Sequence, residues 1–166
     1  SGRTLLYVAC FNCQLKAAKL LLKQHGIQVN QVGQNGMTAL IAAAMNGHAE
    51  VVRLLLSKSD IDINKADNNG YTALFCAAHE GHVEVVRLLL STSDVDINKT
   101  EHNGITALYT ASCDGHVEVV RLLLSKSEID INKAKKDGVT ALYIASEIGH
   151  VEVVRLLLSK SEIDIN

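Results

Sequence analysis

The chain contains no proline and no tryptophan, and aromatic residues make up only 4% of its 166 residues. An enzyme built around an aromatic-lined ligand pocket is therefore not expected. Neither sign of charge dominates, since sixteen Lys and Arg stand against eighteen Asp and Glu, for a formal net charge of −2 and a pI near 6.4. That balance removes the basic footprint that drives nucleic-acid binding. Long apolar runs are also missing. The longest, such as Leu5 to Phe11, fall far short of the roughly 18 residues needed to cross a bilayer, so no direct membrane insertion is expected. What is present is a composition of 48% apolar and 20% charged residues, enough to bury a core as one compact domain or a short repeat array.

The repeat is the main signal. Gly-His recurs at Gly47-His48, Gly81-His82, Gly115-His116 and Gly149-His150, always 34 residues apart. The Leu-Leu-Leu runs beginning at Leu20, Leu54, Leu88, Leu122 and Leu156 keep the same step. So do Thr4, Thr38, Thr72, Thr106 and Thr140, and Asn30, Asn64, Asn98, Asn132 and Asn166. Four independent markers in register over about five copies define a tandem array, with units at about 1–32, 33–66, 67–100, 101–134 and 135–166 of one domain spanning 1–166.

Each unit has a physical grammar. Asn35-Gly36, Asn69-Gly70, Asn103-Gly104 and Asp137-Gly138 favour tight turns with positive φ. The threonine two residues after each glycine is a helix N-cap. Ala-Leu-x-x-Ala follows, placing small Ala43, Ala77, Ala111 and Ala145 on a closely packed face. The glycine of Gly-His ends that helix. A second helix runs through Val-Glu-Val-Val-Arg-Leu-Leu-Leu, with Glu50, Glu84, Glu118 or Glu152 in its first turn and Arg53, Arg87, Arg121 or Arg155 three residues on. More than half of its circumference is apolar, so neighbouring units must cover it.

The segment NGYTALFCAAHEGHVEVVRLLL, from Asn69 to Leu90, resembles the ankyrin repeat, and the resemblance covers the whole chain. Tetratricopeptide repeats share the period, but they carry a Trp and join their helices without a hairpin. The resemblance implies an all-α solenoid of stacked helix-turn-helix units with β-hairpin turns between repeats. It also implies a non-enzymatic module that binds a protein partner through a concave groove, in an intracellular, cytoplasmic setting. A targeting or regulatory segment of a larger enzyme or membrane protein is the alternative, and a self-associating structural array is another. Three departures from the family pattern are visible. The loop after the second helix is one residue longer. The family's proline at the first helical position is Ala39, Ala73, Ala107 and Ala141, which forgoes about 0.4–1 kcal/mol per site. The family's histidine in that helix is Ile41, Phe75, Tyr109 and Tyr143.

Terminal repeats normally exchange outward apolar residues for polar ones. The last unit, GHVEVVRLLLSKSEIDIN, is as apolar as the internal ones, and the first has Cys13-Gln14 in place of Gly-His. The expectation is a segment of a longer array, with Ser1-Gly2 a cloning remnant and an uncapped final face that stacks end to end.

No chemistry-bearing constellation stands out. Cys10-x-x-Cys13 has no second pair at metal spacing, and Cys10 takes a slot filled by Ala or Ser in other units. Cys76 reads as core, and Cys113 as the exposed end of a first helix. Four cysteines with no recognisable export signal fit a reducing interior without disulfides. The Gly-His histidines lie too far apart to share an ion and read as structural. Asn98-Lys99-Thr100 matches a glycosylation pattern with no secretory signal to use it. The Ser-x-Ser-Asp/Glu loops are explained by turn chemistry. Lys133, Lys135 and Lys136 read as a solvated tip. No cofactor, metal or nucleic-acid partner is expected.

A recognition surface is sought where near-identical repeats disagree. Met37, Tyr71, Ile105 and Val139 follow the turn glycines, and the first three are expected to form an exposed apolar strip. Met45-Asn46, His79-Glu80, Cys113-Asp114 and Glu147-Ile148 precede the Gly-His pairs, with Phe11-Asn12 in the first unit. Gln34, Asn68, His102 and Lys136 stand at the tips. The candidate protein-binding residues are Phe11, Met37, Met45, Asn46, Tyr71, His79, Glu80, His102, Ile105, Cys113, Asp114, Lys136, Val139 and Glu147.

Overall fold

A computed structural model describes residues 4–165; the proposed remnant Ser1-Gly2 and the fifth marker asparagine, Asn166, lie outside the described residues. Among the described residues ten α-helices follow in five pairs: α1 (Leu5–Phe11) and α2 (Leu15–Leu21), α3 (Ala39–Met45) and α4 (Ala49–Leu56), α5 (Ala73–His79) and α6 (Val83–Leu90), α7 (Ala107–Cys113) and α8 (Val117–Leu123), α9 (Ala141–Ile148) and α10 (Val151–Leu158). Each first helix starts as its threonine dictates. The hydroxyls of Thr4, Thr38, Thr72, Thr106 and Thr140 accept the backbone N–H three residues on, at 3.1–3.2 Å.

Three residues connect the helices of an internal pair, so the chain turns straight back. α3, α5 and α7 close two residues before their glycines, at Met45, His79 and Cys113, rather than at the glycine itself. Only α9 runs on to Ile148 and uses left-handed Gly149 as its cap. In the first unit Cys13 takes the glycine's place and adopts the same left-handed conformation, with φ 56°.

The odd-numbered helices stack as one layer, α1 on α3 on α5 on α7 on α9, and the even-numbered helices stack as a second. The core lies between the layers. Small Ala43, Ala77 and Ala111 are fully buried on the close-packed face, while Val51, Leu55, Val86, Leu89, Val120 and Leu123 fill the space from the second layer. Exposed Glu–Arg pairs three residues apart line the outer face of that layer, at 3.4–3.7 Å. Solvent-exposed pairs of this kind add little stability.

The turns between repeats are hairpin-shaped, but no β-strand forms among the described residues. Each is closed by one backbone bond across its ends, such as Asp67 N–H to Tyr71 carbonyl at 3.0 Å, with a tighter turn bond inside it, such as Gly70 N–H to Asp67 carbonyl at 3.0 Å. That is too short a pairing for a ladder. Successive turns are joined sideways instead: Asn68, His102 and Lys136 donate their N–H to the carbonyls of Asn35, Asn69 and Asn103, at 2.9, 3.3 and 2.9 Å. The turns therefore form a continuous row along the array.

Two further ladders run along the stack. His48, His82, His116 and His150 direct Nε2 at the carbonyls of Phe11, Met45, His79 and Cys113 in the preceding unit, at 2.8–3.0 Å. A carbonyl only accepts, so each Nε2 carries the proton. The marker asparagines bridge the long loops. Asn30, Asn64, Asn98 and Asn132 donate Nδ2 to the carbonyls of Asp60, Asp94, Glu128 and Glu162. Their Oδ1 atoms accept the N–H of Asp62, Asp96, Asp130 and Asp164 at 2.8 Å.

Candidate interaction surface

Half of the candidate residues meet at one place. A cleft of about 320 Å³ lies along α5 and α7, lined by Met45, Tyr71, Phe75, Cys76, His79, Glu80, Ile105, Tyr109, Thr110, Cys113 and Asp114. Seven of these belong to the columns where the repeats disagree. The floor does not. Phe75, Tyr109 and Thr110 occupy scaffold positions in the sequence, and Cys76 a core position. Cys76 is indeed buried, yet it also faces the cleft.

Met37, Tyr71 and Ile105 stand in successive units as expected, but they are half-buried rather than an exposed strip. The reason is local packing. Tyr71 stacks on Phe75 with ring centroids 4.7 Å apart and planes within 6°, and the Tyr7 hydroxyl donates to the Met37 sulfur at 3.9 Å. At the rim, His79 Nδ1 donates to Asp114 Oδ2 at 2.9 Å and lies 3.1 Å from Thr110 Oγ1, tying two units together. Burial and the neighbouring Asp114 carboxylate push the Cys113 thiol above its ordinary value, with Lys135 opposing. Its thiolate is disfavoured, which is the opposite of an activated nucleophile.

A family model described as ankyrin repeats (3 copies) matches residues 6–101 and 93–166. The chain belongs to the ankyrin repeat family. No curated protein matches its sequence.

The remaining candidate residues of this ankyrin array lie outside the cleft. Phe11 stacks on Tyr7 at 6.0 Å near the first unit's end. The Asn46 side chain caps α3 by donating to the Ala42 carbonyl at 2.8 Å. His102 Nε2 donates to the Asn68 carbonyl at 2.9 Å, so this tip residue supports the turn row. Exposed Lys136 and half-buried Val139 belong to the last turn, where Lys135 pairs with Asp137 at 2.7 Å. Glu147 lines a separate hollow with Tyr143 and Leu142 on the outer face of the fifth unit.

One signal could have found the cleft floor. Tyr7, Ile41, Phe75, Tyr109 and Tyr143 occupy a single repeat column and hold four of the chain's six aromatics. That concentration marks the column as distinctive, although Tyr7, Ile41, Phe75 and Tyr109 are buried and Tyr143 alone is exposed. The cysteines show no metal arrangement. Cys10 is buried and Cys13 exposed, and no group of three or more His, Cys, Asp or Glu among the described residues is placed to hold an ion. No described helix is long and apolar enough to cross a membrane.

Proposed function

We propose that the chain is a non-enzymatic protein-interaction module that engages a protein partner, in an intracellular setting, through the groove on the turn side of its first-helix layer. Ankyrin repeats generally serve protein–protein interaction. The single observation that carries the finer reading is the convergence of Met45, Tyr71, His79, Glu80, Ile105, Cys113 and Asp114 on one cleft. These are columns where the repeats differ, set on a scaffold whose second helices scarcely change. An apolar interior with a polar rim is what protein recognition uses. The test is capture of partners from source lysate by the chain and by a variant with Tyr71, His79, Ile105 and Cys113 changed to alanine. Loss of a partner by an equally helical variant supports the reading. Equal retention by both moves the site off this cleft.

A second reading rests on the two ends. Tyr143 is 57% exposed where its column-mate Tyr109 is 6% exposed, and Leu158 is 51% exposed where Leu124 is 4% exposed. At the other end Leu5 and Leu20 are exposed, and a hollow of about 400 Å³ forms beside Val8 and Ala17. Such faces favour head-to-tail stacking of copies. Light scattering across rising concentration tests self-stacking, and a monomer at millimolar concentration rules it out.

A further inference from the structure

The cleft along α5 and α7 combines an apolar floor with a negative rim. The floor is the Tyr71–Phe75 stack with Ile105 and Tyr109. At about 320 Å³ it sits at the small end of ligand-sized pockets, the scale of one large side chain. Glu80 and Asp114 stand exposed at its edge, each capping the end of a first helix.

The charges that reach the cleft are mostly of one sign. The buried Cys76 thiol feels Asp67 and Glu80, Cys113 feels Asp114, and Tyr109 feels Glu147. Lys135 reaches both Cys113 and Tyr109, but it is paired with Asp137 at 2.7 Å, so that pair adds little net charge. His79 donates to Asp114 from the rim and leaves Glu80 with no ion-pair partner among the described residues. An acidic peptide or a phosphate backbone meets repulsion here. A basic segment meets attraction.

Building on the protein-binding reading above, we propose that this cleft takes a short segment of the partner in which a large apolar side chain stands beside an arginine or lysine. The apolar side chain covers Tyr71 and Phe75, and the cation lies against Glu80 and Asp114. Arginine suits the rim better than lysine, because its planar donors match a carboxylate and stack on an aromatic face.

The test selects random dodecapeptides, displayed on phage, against the intact chain. The best binder is then synthesised and titrated against the parent and the Glu80→Gln/Asp114→Asn double variant. Glu80 is exposed, and the asparagine replacing Asp114 retains an acceptor for His79 and Thr110, so the double variant should stay folded, with its helicity and melting curve recorded beside the parent's. The expected peptides carry Leu, Met, Phe, Tyr or Trp within two residues of Arg or Lys. Their affinity should fall about tenfold in the double variant and weaken with added salt. Binders without a basic residue, or binders held equally by both proteins, overturn the proposal. If such binders are instead lost on Met37→Ala or Lys136→Ala, the interaction reading stands and only the basic-segment assignment falls. If no peptide is enriched and lysate capture does not distinguish the Ala variant, both fall.

Discussion

Gly81 and His116 touch across a repeat boundary: a Cβ on Gly81 would lie 2.7 Å from the His116 ring, whose Nε2 reaches the His79 carbonyl at 2.8 Å. The glycine is thus required twice, for its left-handed φ of 73° and for the ring that lies against it. Gly81→Ala is expected to cost about 2–3 kcal/mol, from left-handed strain plus a displaced hydrogen bond. Gly149 has φ 90°, and a Cβ there would meet nothing within 4 Å. Gly149→Ala should therefore show the strain alone, about 1–2 kcal/mol. Urea denaturation of the two variants checks the difference, and equal costs would show that the ring contact contributes nothing.

The asparagine ladder should be worth more than its exposed setting implies. Asn64→Ala removes a donor to Asp94 at 2.6 Å and an acceptor for Asp96 N–H at 2.8 Å. A loss of about 1–2 kcal/mol is expected, with the destabilisation centred on the loops of the second and third units. Amide hydrogen exchange at Asp96 reads it directly.

Cys13 carries a side chain in a conformation that the equivalent Gly47, Gly81 and Gly115 adopt without strain. Cys13→Gly is expected to stabilise the first unit by about 1 kcal/mol, as the difference between relieved strain and added chain entropy. A higher thermal midpoint is the readout.

The thiols should separate by burial. Burial pushes Cys10 and Cys76 up to about 12 from an ordinary 9.0, with Asp67 and Glu80 adding to the shift at Cys76. Exposed Cys13 should react first with a thiol reagent at pH 8, Cys113 more slowly, and the buried pair only on unfolding. The sign for stability follows from proton binding. Between about pH 9 and 12 the folded state keeps protons that the unfolded state has released, so stability is intact below 9 and falls as pH rises through that window. Alkaline melting curves, compared with those of Cys10→Ala and Cys76→Ala, test it.

Much of this fold is legible because its grammar is local. Thr72 caps α5, Gly70 and Gly81 take positive φ, and the apolar second helix needs neighbours; each follows from a few adjacent residues. What the sequence hides are contacts about one unit apart. His82 announces a turn but not its bond to Met45, 37 residues back, and Asn64 is a marker with no partner in view. The cleft is half legible for the same reason. Disagreement between repeats exposes Tyr71, Ile105 and Asp114, while Phe75 and Tyr109 look like scaffold. Only stacking α5 beside α7 turns that column into a floor.

The central claim is that partners are engaged on the turn side of the first-helix layer and not on the outer face of the second helices. Site-specific photo-crosslinking tests it most directly, with a benzoylphenylalanine placed at Ile105 in one protein and at exposed Arg53 in another. Irradiation in source lysate should yield a discrete crosslinked protein from the Ile105 probe and none from the Arg53 probe. A discrete product from Arg53 with none from Ile105 would contradict the account.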